Sequence, residues 1–415
     1  MPADFLLRRM LLGAILLLAQ WFWLRRGWRL AAHLRPHPLR AVSRILLALA
    51  PILIALVLFD RIVHRLLPLA LGAWVAPPVQ LWVFSSTVVY FFLQIVRGAV
   101  WLFSAAGRLV ASSPRSVPPD PRRRLLLRRA AIVLGGMPFA GALYGFALER
   151  FRFRIVRVDL PVAHLPAALD GLRIVQLSDI HAGDFMPVRE IHRAVRMANR
   201  LHAHLAVVTG DFITGAGDPL ADCIGTLSAL RAPLGVWGCN GNHEIYADAE
   251  QRAQDLFRQN GMTLLRQQAV RLAWNGAPFN LIGIDYLHEE SGPGLPGPSL
   301  EPIAPLIRRD MPNILLSHNP NGFYSAADLG IELTLSGHTH GGQVTLNFVN
   351  KNFNLARLMT RFVAGPYHLP LPPRPGMPAA GPASLYVNRG LGTLGIPARI
   401  GSDPEITLLT LRRAT

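Results

Sequence analysis

The 415-residue chain holds 42 Lys and Arg against 25 Asp and Glu, a formal charge of +17, yet only 16% of its residues are charged and 51% are hydrophobic. Such a basic excess would ordinarily suggest nucleic acid, but it is confined: residues 1–158 carry 22 Arg against 4 acids, and residues 159–415 carry 20 bases against 21 acids. The apolar composition excludes a disordered polycation, two cysteines exclude a disulfide-stapled scaffold, and no nucleic-acid partner is expected.

Four apolar stretches occupy the first 150 residues: Met10–Leu24, Ile45–Phe59, Val79–Val96 within a longer run from Leu66, and Ala130–Leu148. A helix needs roughly 20 apolar residues to cross a bilayer core, so residues 1–150 read as an α-helical membrane region with about four transmembrane helices. The first two stretches need flanking residues or arginine snorkelling to span. Pro68, Pro77 and Pro78 predict a break ahead of the third. The 25–44 and 97–129 loops are rich in arginine, whereas the 60–78 loop has only Arg61 and Arg65, beside Asp60. The positive-inside rule then makes the two rich loops cytoplasmic. The amino terminus and everything after residue 150 face outward, against the pull of Arg150, Arg152, Arg154 and Arg157. An inner-membrane protein with residues 151–415 on the external or periplasmic side is the expectation. No Asp, Glu or Lys interrupts the four cores, so an anchor is favoured over an ion pathway. Gly141 and Gly145 form a small-xxx-small pair, a candidate helix-packing face.

From Phe151 the texture changes, and residues 151–415 read as one α/β domain. FRFRIVRVDL alternates apolar and charged residues as a half-buried strand does. Short branched-apolar runs follow, each ending in a polar turn: LRIVQLSDIH (172–181), LAVVTGD (205–211), GVWGCNGNHE (235–244), FNLIGID (279–285), NILLSHN (313–319) and IELTLSGHTHGG (331–342). Between the first two, Val188–Leu201 places apolar residues near helical spacing. Strand, turn, helix, strand is an α/β pattern whose sites gather beyond the strand ends. The Pro/Gly-rich segments 291–305 and 366–382 read as loops.

Each strand end supplies ligand-type side chains: Asp179 and His181, Asp211, Asn242 and His243, His318, then His338 and His340, with glycines at 210, 241, 337, 341 and 342 beside them. Glycine permits the sharp turns that let side chains from separate strands converge. Positions i and i+2 of a strand face one side, so Asp-x-His and His-x-His each project two ligands together. This mix of oxygens and imidazoles suits two divalent ions of borderline character, manganese, iron or zinc, able to clamp a phosphoryl group and activate water between them.

DIH at 179–181, GD at 210–211, GNHE at 241–244, the solitary His318 and GHTH at 337–340, in that order, resemble the signature of the calcineurin-like metallophosphoesterases. The likeness extends over about 159–412 and includes the tail NRGLGTLGIPARIGSDPEITLLTLR, which is similar to a bacterial membrane-anchored branch. The resemblance implies a two-sheet β-sandwich flanked by helices and a binuclear metal centre hydrolysing a phosphate mono- or diester by attack of metal-bound hydroxide. By motif, Asp179, His181 and His340 hold the first ion, Asp211 bridges, and Asn242, His318 and His338 complete the second. His243 becomes the general acid or phosphate-orienting group, with Glu244 as its orienting partner. A site beside a bilayer suggests a lipid-linked or envelope substrate. The alternatives are a UDP-2,3-diacylglucosamine pyrophosphate hydrolase at the cytoplasmic face and a non-catalytic metal-binding regulatory protein.

The other polar residues read as ordinary ones. His202 and His204 form a second His-x-His but precede a strand at its wrong end. His288 and Asp285 are assigned at most peripheral site roles. Cys223 and Cys239 are not fixed as a pair by their separation, and Cys239 reads as strand packing.

Overall fold

A computed structural model of the chain describes residues 3–58, 72–110, 120–287, 297–345, 354–358, 360–373 and 381–414. It divides into two compact units, one of Met1–Tyr144 with Gly395–Pro397, the other of Gly145–Leu394 with Ala398–Thr415.

The first unit is built from the helices α1 (Ala3–Ala32), α2 (His37–Leu58), α3 (Gly72–Val110) and α4 (Pro121–Ala147), the last running on into the second unit. Three helical segments, His37–Val57, Val75–Ala106 and Pro121–Phe151, are long and apolar enough to cross a membrane. The expected four spans therefore become three among the described residues. Met10–Leu24 lies in α1 between Arg8–Arg9 and Arg25–Arg26, and α1 is not among the three. No break occurs at Pro77 and Pro78, which lie inside α3. Pro68, Asp60, Arg61 and Arg65 lie outside the described residues. Polar side chains join these helices: Gln20 Nε2 donates to Ser86 Oγ at 3.0 Å, Trp23 Nε1 to the Ser86 carbonyl at 2.8 Å, and Ser85 Oγ to the Pro138 carbonyl at 3.2 Å. Such bonds hold helices together where lipid offers no hydrophobic drive.

The second unit has two six-stranded sheets. The first contains β1 (Arg154–Val162), β2 (Arg173–Leu177), β3 (Leu205–Thr209), β4 (Val236–Cys239), β5 (Thr263–Leu264) and β12 (Glu405–Arg413), in the order β1-β12-β2-β3-β4-β5. The second contains β6 (Gln268–Trp274), β7 (Ala277–Gly283), β8 (Asn313–Leu316), β9 (Leu333–Ser336), β10 (Gly365–Leu369) and β11 (Ala383–Val387), in the order β10-β11-β9-β8-β7-β6. The helices are α5 (Val188–Asn199), α6 (Leu220–Leu227), α7 (Asn242–Tyr246), α8 (Glu250–Gln259) and α9 (Phe323–Asp328).

Side-chain alternation sorts the core into layers. Leu205 and Val207 of β3 join Phe279, Ile314, Leu333 and Leu409 between the sheets. Ala206 and Val208 join Ile191, Ile224 and Phe257 under α5, α6 and α8. The two cysteines fall into different layers, Cys223 under the helices and Cys239 between the sheets, and both are free. One loop expectation is corrected: residues 365–369 form β10, antiparallel to β11, and Pro366 is tolerated because this is an edge strand. Residues 291–296 and 374–380 lie outside the described set.

β2, β3 and β4 run parallel in one sheet, and β8 and β9 run parallel in the other. Gln176 Nε2 crosses between the sheets, donating to Thr209 Oγ1 and to the Ser336 carbonyl, each at 3.0 Å. The carboxyl ends of these five strands therefore share one rim, and all the ligand-type blocks follow them.

Candidate metal centre

Two clusters form at that rim. In the first, His181 Nε2 and His340 Nε2 stand 3.2 Å apart, and Asp179 Oδ1 lies 3.4 Å from His340 Nε2. In the second, His318 Nε2 lies 3.0 Å from Asp211 Oδ2 and 3.3 Å from His338 Nδ1. Asp211 Oδ2 also lies 3.5 Å from His181 Nε2, so this carboxylate stands between the clusters. Ligand atoms of Asp179–His181–His340, of Asp211–His318–His338, and of His181–Asp211–His243 each lie within 4.8 Å of one another.

The backbone is bent to bring them there. Asp179, His181, Asp211, His338 and His340 have φ of 48°, 49°, 55°, 76° and 52°, a left-handed region that costs non-glycine residues roughly 1–3 kcal/mol each and clusters at functional sites. The ligand-type residues thus take positive φ alongside Gly210, Gly341 and Gly342, whose φ are 78°, 59° and 81°. Gly241 and Gly337 supply room instead: a Cβ on Gly241 would strike Asp211 Oδ1, and one on Gly337 would strike Asp179 Oδ2 and Ser178 Oγ.

Three of the rings, those of His318, His243 and His181, are held through their second nitrogen, as oriented metal-binding imidazoles are. His318 Nδ1 donates to the Thr209 carbonyl at 2.6 Å and His243 Nδ1 to the Thr214 carbonyl at 2.8 Å. His181 Nδ1 lies 3.0 Å from Thr214 Oγ1. The His338 amide donates to both Asp179 oxygens, at 2.9 and 3.0 Å, and the His243 amide to Asp211 Oδ1 at 3.0 Å.

Asn242 is buried, and its Oδ1 has no hydrogen-bond partner among the described residues. An orphaned buried oxygen is costly unless something else uses it. A divalent cation would use it as a ligand. Converging imidazole nitrogens and carboxylates, with the Asn242 oxygen, fit divalent ions of borderline character.

Electrostatics without an ion agree with a site built for cations. Burial lowers His181 to about 3 and His338 to about 4, the latter also through the neighbouring His318 charge, so both rings are neutral and free to ligate. Burial also lowers His318, but the Asp211 charge and hydrogen bond outweigh it and raise the ring to about 10. Asp211 falls well below the usual carboxylate range for the matching reason, burial being overcome by His318. Without an ion the two form a buried ion pair.

Glu244 plays another part than the one expected. It does not orient the His243 ring; its carboxylate accepts from the amides of Gly241 and Phe212 at 2.8 Å, Asp211 at 2.9 Å and Ile213 at 3.3 Å. It clamps the Asp211 turn to the start of α7. Burial and then the Asp211 charge push it up to about 7, while the amide donors favour its ionised form. Asp285 is a brace at the edge of the site, accepting from Asn240 Nδ2 at 2.7 Å and from Arg266 Nε at 2.8 Å. His204 stacks on Trp274 with centroids 4.0 Å apart, far along the strands from the rim. His288 lies outside the described residues. Thr214 and Tyr286, whose ring centroid is 5.5 Å from that of His338, stand outside the ligand-type blocks, and Thr209 lies within one but acts on His318 through its backbone carbonyl.

The description "Calcineurin-like phosphoesterase" matches residues 172–342. A "Transmembrane protein with metallophosphoesterase domain" from Bos taurus is 32% identical over 322 residues, 74% of this chain and 66% of that protein. "Uncharacterized metallophosphoesterase YkuE" from Bacillus subtilis is 30% identical, over 70% of this chain and 97% of that protein. "Phosphodiesterase YaeI" from Escherichia coli is 27% identical, over 70% of this chain and 98% of that protein. The match thus spans just under two thirds of the bovine relative and nearly all of the bacterial ones. This chain belongs to the calcineurin-like metallophosphoesterase family.

Proposed function

We propose that the protein is a membrane-anchored phosphoester hydrolase with two metal ions. Asp179, His181 and His340 hold one ion, Asn242, His318 and His338 the other, and Asp211 serves both. The observation that carries this reading is the pair of His/Asp clusters with Asp211 standing between them, 3.5 Å from His181 Nε2 and 3.0 Å from His318 Nε2, together with the orphaned buried oxygen of Asn242. Divalent cations of the manganese, iron or zinc type, when bound, supply a positive clamp for the phosphoryl oxygens and activate a water for attack. The protein around them is close to neutral, so no basic patch replaces that field.

His243 acts on the leaving oxygen. Its Nδ1–H is committed to the Thr214 carbonyl, so Nε2 carries a proton only in the imidazolium, and that proton passes to the departing alkoxide. Thr214 thereby sets which nitrogen does the work. Glu244 keeps the Asp211 turn and the His243 helix at fixed separation.

A membrane anchor on the same chain favours a lipid-linked or envelope phosphoester as the substrate class, and the arginine distribution favours a domain outside the cytoplasm. One relative's name, phosphodiesterase, favours diesters over monoesters. The test is hydrolysis of paired aryl phosphodiester and phosphomonoester substrates by the full chain loaded with manganese, iron or zinc. We expect diester turnover that Asp211→Ala abolishes. Undiminished turnover in that variant refutes the site assignment, and protease protection of residues 151–415 in sealed right-side-out vesicles refutes the external placement.

A further inference from the structure

Arg399 is fully buried in the second unit, and among the described residues no carboxylate forms an ion pair with it. A buried charge is costly unless its donors are met, and here backbone carbonyls meet them. Nε donates to Gly392 at 3.0 Å, Nη1 to Ser402 at 3.1 Å, and Nη2 to Gly392 and Arg389 at 2.6 and 2.8 Å. The guanidinium thus draws the turn 389–392 together around itself.

That turn is the floor under Asp179 and His181. Leu391 N donates to the Ser178 carbonyl at 3.0 Å and Gly392 N to the Asp179 carbonyl at 2.7 Å. Gly390 has φ +72°, and a Cβ there would stand 2.5 Å from Asp179 Cβ; one at Gly392 would stand 2.9 Å from His181 Cβ. On its other side the same arginine reaches the third member of the cluster. Nη1 lies 3.4 Å from the His340 carbonyl and Nη2 3.4 Å from His340 Nδ1, while Ser402 Oγ donates to that carbonyl at 3.1 Å. Arg399 therefore touches or underlies Asp179, His181 and His340, and makes no contact with Asn242, His318 or His338.

The backbone of Arg399 is itself gripped where the chain leaves α4. Arg399 N donates to the Gly145 carbonyl at 3.4 Å, and Glu149 Oε1 accepts from Gly401 N at 2.9 Å. A Cβ on Gly145 would collide with the Arg399 carbonyl. Close approach to this loop, more than helix pairing, accounts for the glycine.

We propose that Arg399 is the positioning residue of the Asp179–His181–His340 ion site, and that the Gly145–Glu149 segment holds Arg399 in register. Removing Arg399 then empties one ion site and spares its neighbour. The inference rests on the two-ion reading above.

The test is metal titration of the full chain in detergent, stripped and then loaded with cobalt, counted by mass spectrometry and followed by its ligand-field absorption. Wild type is expected to take two ions. Arg399→Met is expected to keep one ion at near wild-type affinity and to bind the other roughly 10–100-fold more weakly, the usual cost of losing a group that orients ligands. Arg399→Lys, which keeps the charge but cannot span the carbonyls, should behave like Arg399→Met. Gly145→Val should weaken the same ion to a smaller degree. Gly390→Ala, pressing on Asp179 from the same turn, tests the idea independently should Arg399→Met fail to fold. A merely structural arginine would lower thermal stability and leave both ion affinities and the cobalt spectrum unchanged; that result, or equal weakening of both ions, overturns the inference. A wild-type protein that takes fewer than two ions overturns the two-ion reading and this inference with it.

Discussion

The two units invert each other's use of burial. In the helical unit large apolar side chains face outward, with Phe103 81% and Leu17 73% exposed. In the sheet unit the rim buries Asp179, Asp211, His318, Glu244 and Arg399 almost completely. Each choice is costly in water alone. Lipid relieves the first, since apolar surface is at home in hydrocarbon; divalent cations relieve the second, since they satisfy converging carboxylates and imidazoles. The comparison teaches that each unit's costly surface suits a non-protein partner, a bilayer for one and divalent metal for the other.

Substitutions at the rim break this contrast most sharply. His243→Asn should lower kcat by about 10²–10⁴-fold, the usual contribution of a positioned proton donor, with both ions retained; a loss of metal instead would move His243 among the ligands. Glu244→Ala removes the acceptor of four buried amides. It should cost at least about 3 kcal/mol of stability, since each stranded donor costs roughly 1–3 kcal/mol, measurable by chemical denaturation of the loaded protein.

A subtler test uses protons. The ion-free His318 ring is raised to about 10 and paired with a depressed Asp211. The His318 contribution to ion-free stability is complete below its unfolded value of about 6.5 and fades as pH rises through about 10. The Asp211 contribution is complete above its unfolded value of about 3.9 and fades as pH falls through its depressed value. Loading metal must displace the His318 proton, whereas His181 and His338, lowered to about 3 and 4, have none to give at neutral pH. Calorimetry in buffers of different ionisation enthalpy should therefore find about one proton released on loading at pH 7, and affinity rising with pH. The smallest effect is expected in the other unit: Phe103→Ala, on an outward apolar face, should leave metal content and turnover unchanged.

Much of this was legible in the sequence because chemistry and topology coincide there. Asp179, His181, Asp211, Asn242, His243, His318, His338 and His340 each lie within a few residues of a β-strand end, where short branched runs give way to glycine and polar residues. Long-range relations left no local trace. Arg399 acts on His340 and on the turn behind Asp179 from far along the chain. Glu244 was misassigned because neighbours on a helix turn point about 100° apart, so it faces the Asp211 turn while His243 faces the site. The edge strand β10 was hidden by its proline and glycine. The first apolar stretch lies in α1, which is not among the three membrane-capable helices of the described residues.

The central claim is that Asp211 is shared by two ions. Metal counting on the purified full chain, reloaded and passed through a desalting column, tests it most directly. Two ions per wild-type chain and neither retained by Asp211→Ala is the result predicted; two ions retained by Asp211→Ala would contradict it.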